Sequence, residues 1–153
     1  MIEPTVESLF DPKIIDLNIN AKTKDEVITH LTDLLYESGY LKDKDSYIKD
    51  IYFRESLGIT GMGDNVAIPH GKSDSVLNTG LAIGKTNHMI PWESYDNQPV
   101  NIIFLFAVPN NDEGSKAHLH LLADVATRLG NDDILKSIKS AQDFDQLKNA
   151  LFK

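Results

Sequence analysis

The sequence predicts an α/β sandwich, a sheet covered by helices on both faces, and three observations carry that prediction. Strand-like and helix-like segments alternate along the whole chain instead of separating into halves. Val100 to Val108 is apolar at nearly every position, which a strand buried on both faces requires, so a central strand is expected there. The helical segments space their apolar residues three and four apart, which gives each helix a face to bury. No composition shift, repeat or linker divides the 153 residues, so the expectation is one domain over 1–153 with a substantial core.

In chain order, residues 1 to 12 read as a lead-in with a brief helical turn around Ser8-Leu9-Phe10, and Ile14, Ile15, Leu17 and Ile19 suggest a first strand. Thr23 with Glu26 makes a capping box, Val27, Ile28, Leu31, Leu34 and Leu35 follow at helical spacing, and Gly39 stops that helix near Ser38. His30 lies beside Asp33 and Glu37 on its polar side and reads as a surface histidine. Asp43 to Phe53 is a second helix with Tyr47, Ile48 and Ile51 inward, and it delivers Arg54 just before a glycine-rich turn. Val66, Ala67 and Ile68 form a short buried strand that ends at Pro69, placing His70 on a Pro/Gly turn beyond it. Leu81 to Ile83 is a strand, Lys85 to His88 a polar turn that leaves His88 on the surface, and Ile90-Pro91-Trp92 a loop or edge. Pro109 to Gly114 is a polar loop, residues 116 to 130 a helix, Asp132 or Asp133 the cap of a short helix to Lys139, and Ser140 to Asp143 the opening of a last helix.

Composition narrows the function. A formal net charge of −8 argues against nucleic acid or an anionic membrane as partner, because either would repel such a surface. There are no cysteines, which excludes disulfides, thiolate metal sites and a cysteine nucleophile in this chain. Neither a basic-then-apolar leader nor an apolar run of membrane-spanning length is present, so a cytoplasmic protein without direct membrane insertion is expected.

His70 is the prime candidate for chemistry, since ligand sites in α/β folds collect on loops beyond strand ends, although a histidine that merely decorates a turn fits the position as well. Gly71-Lys72-Ser73 imitates the end of a phosphate-binding P-loop, yet position 66 is Val and Pro69 lacks a donor, so that reading fails. On the helix from 116, successive residues turn by about 100°, which puts His118 inside the apolar arc with Leu121, Val125 and Leu129 and His120 opposite it. The two rings diverge by about 200° and cannot share an ion, so a metal site is discounted. His118 is then either a core histidine held by a backbone carbonyl or a functional group. Arg54 either pairs with Asp50 one turn back or offers a bidentate guanidinium to an anion near His70.

An acidic residue (Glu55), six positions, Met62-Gly63, two positions, then Val66-Ala67-Ile68-Pro69-His70-Gly71 resembles the phosphohistidine motif of phosphotransferase-system enzyme IIA domains, fructose/mannitol type. The resemblance extends through Trp92, the 99–109 strand and His118-Leu119. It implies a mixed sheet of about five strands, and a phosphoryl carrier that accepts phosphate on His70 from the small phosphocarrier protein HPr and passes it to a cysteine of a cognate enzyme IIB. It also implies His118 as a second active-site histidine and Arg54 as a phosphate-binding residue, with no metal or nucleotide required. The alternative it leaves is a regulatory domain like the nitrogen-type relatives, in which phosphorylation changes affinity for a target. A histidine-based hydrolase is weak, because no carboxylate sits at a convincing spacing to orient His70 as a base.

Overall fold

A computed structural model describes residues 5–152; the first four residues of the lead-in lie outside the described part. Two 3-10 turns, Glu7–Leu9 and Pro12–Ile14, lead into β1 (Ile15–Ile19), followed by α1 (Lys24–Glu37) and α2 (Lys44–Leu57). Three short strands come next, β2 (Gly61–Gly63), β3 (Val66–Ala67) and β4 (His70–Ser73), then two long ones, β5 (Gly80–Ile90) and β6 (Val100–Pro109). The chain closes with α3 (Asp112–Leu129), α4 (Asp132–Ser140) and α5 (Phe144–Phe152). None of the described helices is long and apolar enough to cross a membrane.

The sheet is mixed, in the order β1-β5-β6-β3-β2, with β4 also on β6. β1 runs parallel to β5, β5 antiparallel to β6, and both β3 and β4 parallel to β6. Val66 pairs with Ile102 and His70 with Phe106, so β3 and β4 keep one register against β6 and continue each other across Ile68 and Pro69. Six strands therefore occupy about five positions. His70 does not sit on a turn beyond a strand end, as expected from sequence; it opens a strand. Pro69 interrupts pairing because it has no N–H to give, while its carbonyl still accepts from the Phe106 amide at 3.0 Å.

Alternating side chains of β6 feed two cores. Ile103, Leu105 and Ala107 pack with α1 and α2 residues such as Leu31 and Ile51, whereas Phe104, Phe106 and Val108 pack with Leu121, Leu135 and Leu147 from α3, α4 and α5. The helices thus cover both faces, as the sequence predicts.

Local chemistry sets the helix ends. The Thr23 hydroxyl accepts from the Glu26 amide at 3.1 Å, as the capping box requires, and Gly39 follows α1 at φ +86°. Three boundaries differ from expectation. α2 runs one turn further, to Leu57, so Arg54 lies within its last turn. α3 starts at Asp112 because the Asn111 side chain accepts from the Gly114 amide at 2.7 Å, which recruits the expected loop into the first turn. Asn131, not Asp132 or Asp133, caps α4. Residues 85–88 belong to β5 rather than to a turn: Thr86 pairs with Ile19 of β1, and His88 is exposed, as expected, near the strand's end. His30 contacts Asp16 on β1 at 2.8 Å, so its partner comes from the sheet and not from its own helix.

Candidate functional site

Three elements bring His70, Arg54 and His118 together. β4 supplies His70, the last turn of α2 supplies Arg54, and the first half of α3 supplies His118. α2 and α3 cover opposite faces of the sheet, and they can converge on His70 because, among the described residues, β4 has a strand neighbour on one edge only.

The proton positions on His70 follow from its partners. One ring nitrogen, Nδ1, lies 3.0 Å from the Ile68 carbonyl, and the other, Nε2, lies 3.0 Å from Arg54 Nε. A carbonyl only accepts and a guanidinium only donates, so Nδ1 carries the hydrogen and Nε2 keeps its lone pair. Burial pushes the His70 imidazole below its ordinary range; the Ile68 carbonyl opposes this, the Arg54 charge reinforces it, and Glu55 and Lys72 act in opposite directions. The ring is therefore neutral near pH 7, with a nucleophilic nitrogen aimed at a cation.

His118 is 5% exposed, and its ring centroid stands 4.9 Å from that of His70. Phe106, the register partner of His70, meets His118 edge-on at 5.4 Å. Burial pushes His118 down to about 4, and the neighbouring His70, Lys72 and Arg54 add to that. Among the described residues neither of its ring nitrogens has a hydrogen-bond partner, so none of them supplies the backbone carbonyl expected of a core histidine. His120 is exposed, in agreement with the helical phase.

With this geometry in view, residues 8–153 match the family described as "Phosphoenolpyruvate-dependent sugar phosphotransferase system, EIIA 2". The chain belongs to that family. This EIIA 2 chain is 33% identical over 142 residues to the fructose-specific EIIABC component of Bacillus subtilis, covering 93% of itself and 22% of that protein. It thus spans about a fifth of the relative's length. Among solved structures it resembles the nitrogen regulatory protein IIA-Ntr of Neisseria meningitidis, with a TM-score of 0.84 and 26% identity over 95% of this chain and 98% of that one. Its fold is also that of mannitol enzyme IIA in a complex with phosphorylated enzyme IIB from Escherichia coli, with a TM-score of 0.76 and 22% identity, covering 92% and 95% of the two chains.

The three residues singled out in this EIIA 2 sequence thus meet in space, and Arg54 contacts His70 rather than Asp50. Two features escaped sequence reading. Lys72, set aside with the failed P-loop, lies two residues after His70 on the same face of β4, and its charge acts on both imidazoles. Strand alternation was the signal that would have found it. Gly71 faces the other way: a Cβ there would come within 2.8 Å of Ile51 Cδ1 on α2, so the motif's glycine serves close helix packing instead of a turn.

Proposed function

We propose that the chain is a phosphoryl carrier of a sugar phosphotransferase system, one EIIA domain over 1–153 acting in the cytoplasm. It accepts a phosphoryl group from phosphorylated HPr on His70 and passes it to a cysteine of an enzyme IIB. The single observation that carries this reading is the bare Nε2 of His70, fixed by the Ile68 carbonyl and flanked by Arg54 and His118.

In the first step the Nε2 lone pair attacks phosphorus, the N–P bond to His70 forms, and the donor imidazole leaves with the electron pair of its broken P–N bond. Nδ1 keeps its hydrogen on Ile68 throughout, so the phosphorylated ring is cationic and a good leaving group. In the second step a thiolate attacks phosphorus, and the N–P electron pair returns to Nε2. Arg54 must release Nε2 as phosphorus approaches, and its fork then serves the equatorial oxygens. His118, buried with nitrogens that no described residue engages, offers a hydrogen-bond donor to the same oxygens. Exposed apolar residues lie near these groups in sequence, Phe53 at 66% next to Arg54, Leu57 at 65% about one helical turn after it and Leu119 at 68% next to His118, which suits docking of protein partners.

The test uses purified enzyme I, HPr and labelled phosphoenolpyruvate. Label should enter as an acid-labile, alkali-stable adduct and vanish in His70→Ala; label persisting in that variant refutes the assignment. The likeness to IIA-Ntr supports a second reading, a regulatory phosphoprotein that transfers nothing onward. Passage of label from phospho-His70 to a IIB cysteine favours transport, and a phosphoprotein that holds its label in the presence of IIB favours regulation.

A further inference from the structure

Glu55 follows Arg54 in α2, and its side chain is only 6% exposed. One carboxylate oxygen, Oε1, sits 2.6 Å from Lys24 Nζ, while the other, Oε2, is buried without a hydrogen-bond partner among the described residues. Lys24 comes from the first turn of α1 and is itself held: it lies 4.8 Å above the Trp92 ring and 3.3 Å from Glu93 Oε1. Trp92 in turn donates from Nε1 to the Thr60 hydroxyl at 3.0 Å, in the segment joining α2 to β2. The start of α1, the end of α2 and the loop after β5 therefore lock on one ion pair.

That pair is more than a staple. A buried carboxylate satisfied through one oxygen alone is an expensive feature unless its charge is put to use. We propose that the Lys24–Glu55 pair sets how tightly His70 holds its phosphoryl group. A phosphoryl group brings between about one and two negative charges, and a buried carboxylate nearby repels them, which makes the group easier to give away. Lys24 offsets part of that repulsion. The balance between the two fixes the transfer potential, and both act at a distance, through the field at phosphorylated His70, as positioning residues. Glu55 is the next residue after Arg54, whose Nε reaches His70 Nε2 at 3.0 Å, and among the described residues Arg54, Lys72 and His118 are the other charged or titratable groups whose charge bears on that ring or that stand against it.

The inference rests on the carrier reading, and its test separates the two. The equilibrium constant for phosphoryl transfer from phospho-HPr is measured for the wild type, Lys24→Met, Glu55→Gln and the double variant. Glu55→Gln should shift the equilibrium toward phosphorylated His70 and Lys24→Met away from it, each by roughly tenfold, the scale of one charge on the order of 10 Å away at an effective dielectric of about 20. The double variant should return close to wild type. A purely structural pair predicts loss in the same direction for both single variants, and that result overturns the proposal. A second readout needs no donor: the His70 titration followed by NMR should move down in Glu55→Gln and up in Lys24→Met. Should the wild type refuse phosphate altogether, the carrier reading fails, and this titration still decides the coupling, since unmoved midpoints refute it.

Discussion

His118→Leu should stabilise the protein and cripple its chemistry at the same time. The wild-type ring is 5% exposed with both nitrogens lacking partners among the described residues, and leaving buried polar groups unpaired costs about 1–3 kcal/mol. Leucine of similar volume removes that penalty, while it forfeits the edge contact with Phe106 at 5.4 Å, which is worth about 0.5–1.5 kcal/mol. The difference is a net gain of about 1 kcal/mol, or roughly 2–4 °C in Tm for a chain of this size. Transfer through His70, measured by quenched flow with labelled HPr, should fall about 10²–10³-fold, the range for losing one preorganised donor to a developing anion. His120→Leu is the control, since that side chain is exposed and should alter neither quantity. A lowered Tm in His118→Leu would refute the reasoning, because it would mean the ring is a satisfied core residue. Wild-type transfer would remove His118 from the chemistry.

Three further outcomes follow from the same geometry. Arg54→Lys should keep the fold but slow transfer by about tenfold, because a point charge replaces the planar fork that now reaches His70 Nε2 at 3.0 Å; an unchanged rate in the same assay would leave Arg54 as a mere partner of the resting ring. Gly71→Ala pushes a Cβ to within 2.8 Å of Ile51 Cδ1, so urea titration should show a loss of about 1–3 kcal/mol, and slower transfer should accompany it as α2 and its Arg54 are displaced; wild-type stability would show that Ile51 swings aside freely. For pH, His118 has its folded value lowered to about 4, so between its ordinary value and about 4 the unfolded chain binds a proton that the folded chain refuses. Stability should therefore fall as pH drops through that window, and urea midpoints at pH 7 and pH 5 should differ less in His118→Leu than in the wild type, with identical differences counting against the shift.

Local signals made most of the fold legible, because caps, periodicity and apolar runs act over a few residues. Thr23 and Glu26 announced α1, and Val100 to Val108 announced the central strand, since a segment buried on both faces needs no partner to be recognised as such. What failed were two local caps, Asn111 and Asn131, and the boundaries decided by partners distant in sequence. Residues 85–88 look like a turn by composition, yet β5 runs through them: Lys85 still pairs with Ile102 of β6 and Thr86 with Ile19 of β1, and the ladder with β6 resumes at Ile90. The β2–β3 hairpin turns at Asp64 and Asn65, both with positive φ as a two-residue loop of this kind demands.

At the site, the sequence by itself determined which residue types were available: a histidine between Pro69 and Gly71, an arginine at the end of a helix, and, from helical phase, that His118 rather than His120 faces inward. Helical phase is a property of one segment, so it can be computed without the rest of the chain. Only the tertiary structure decided that Pro69 divides two strands in one register on β6, that Gly71 is small because α2 lies against it, and that Arg54 turns from Asp50 to His70. It alone revealed Lys24 locked onto Glu55 from another helix. These are contacts between residues that are 16 to 36 positions apart, and their existence depends on how layers stack on the sheet, which no local pattern encodes.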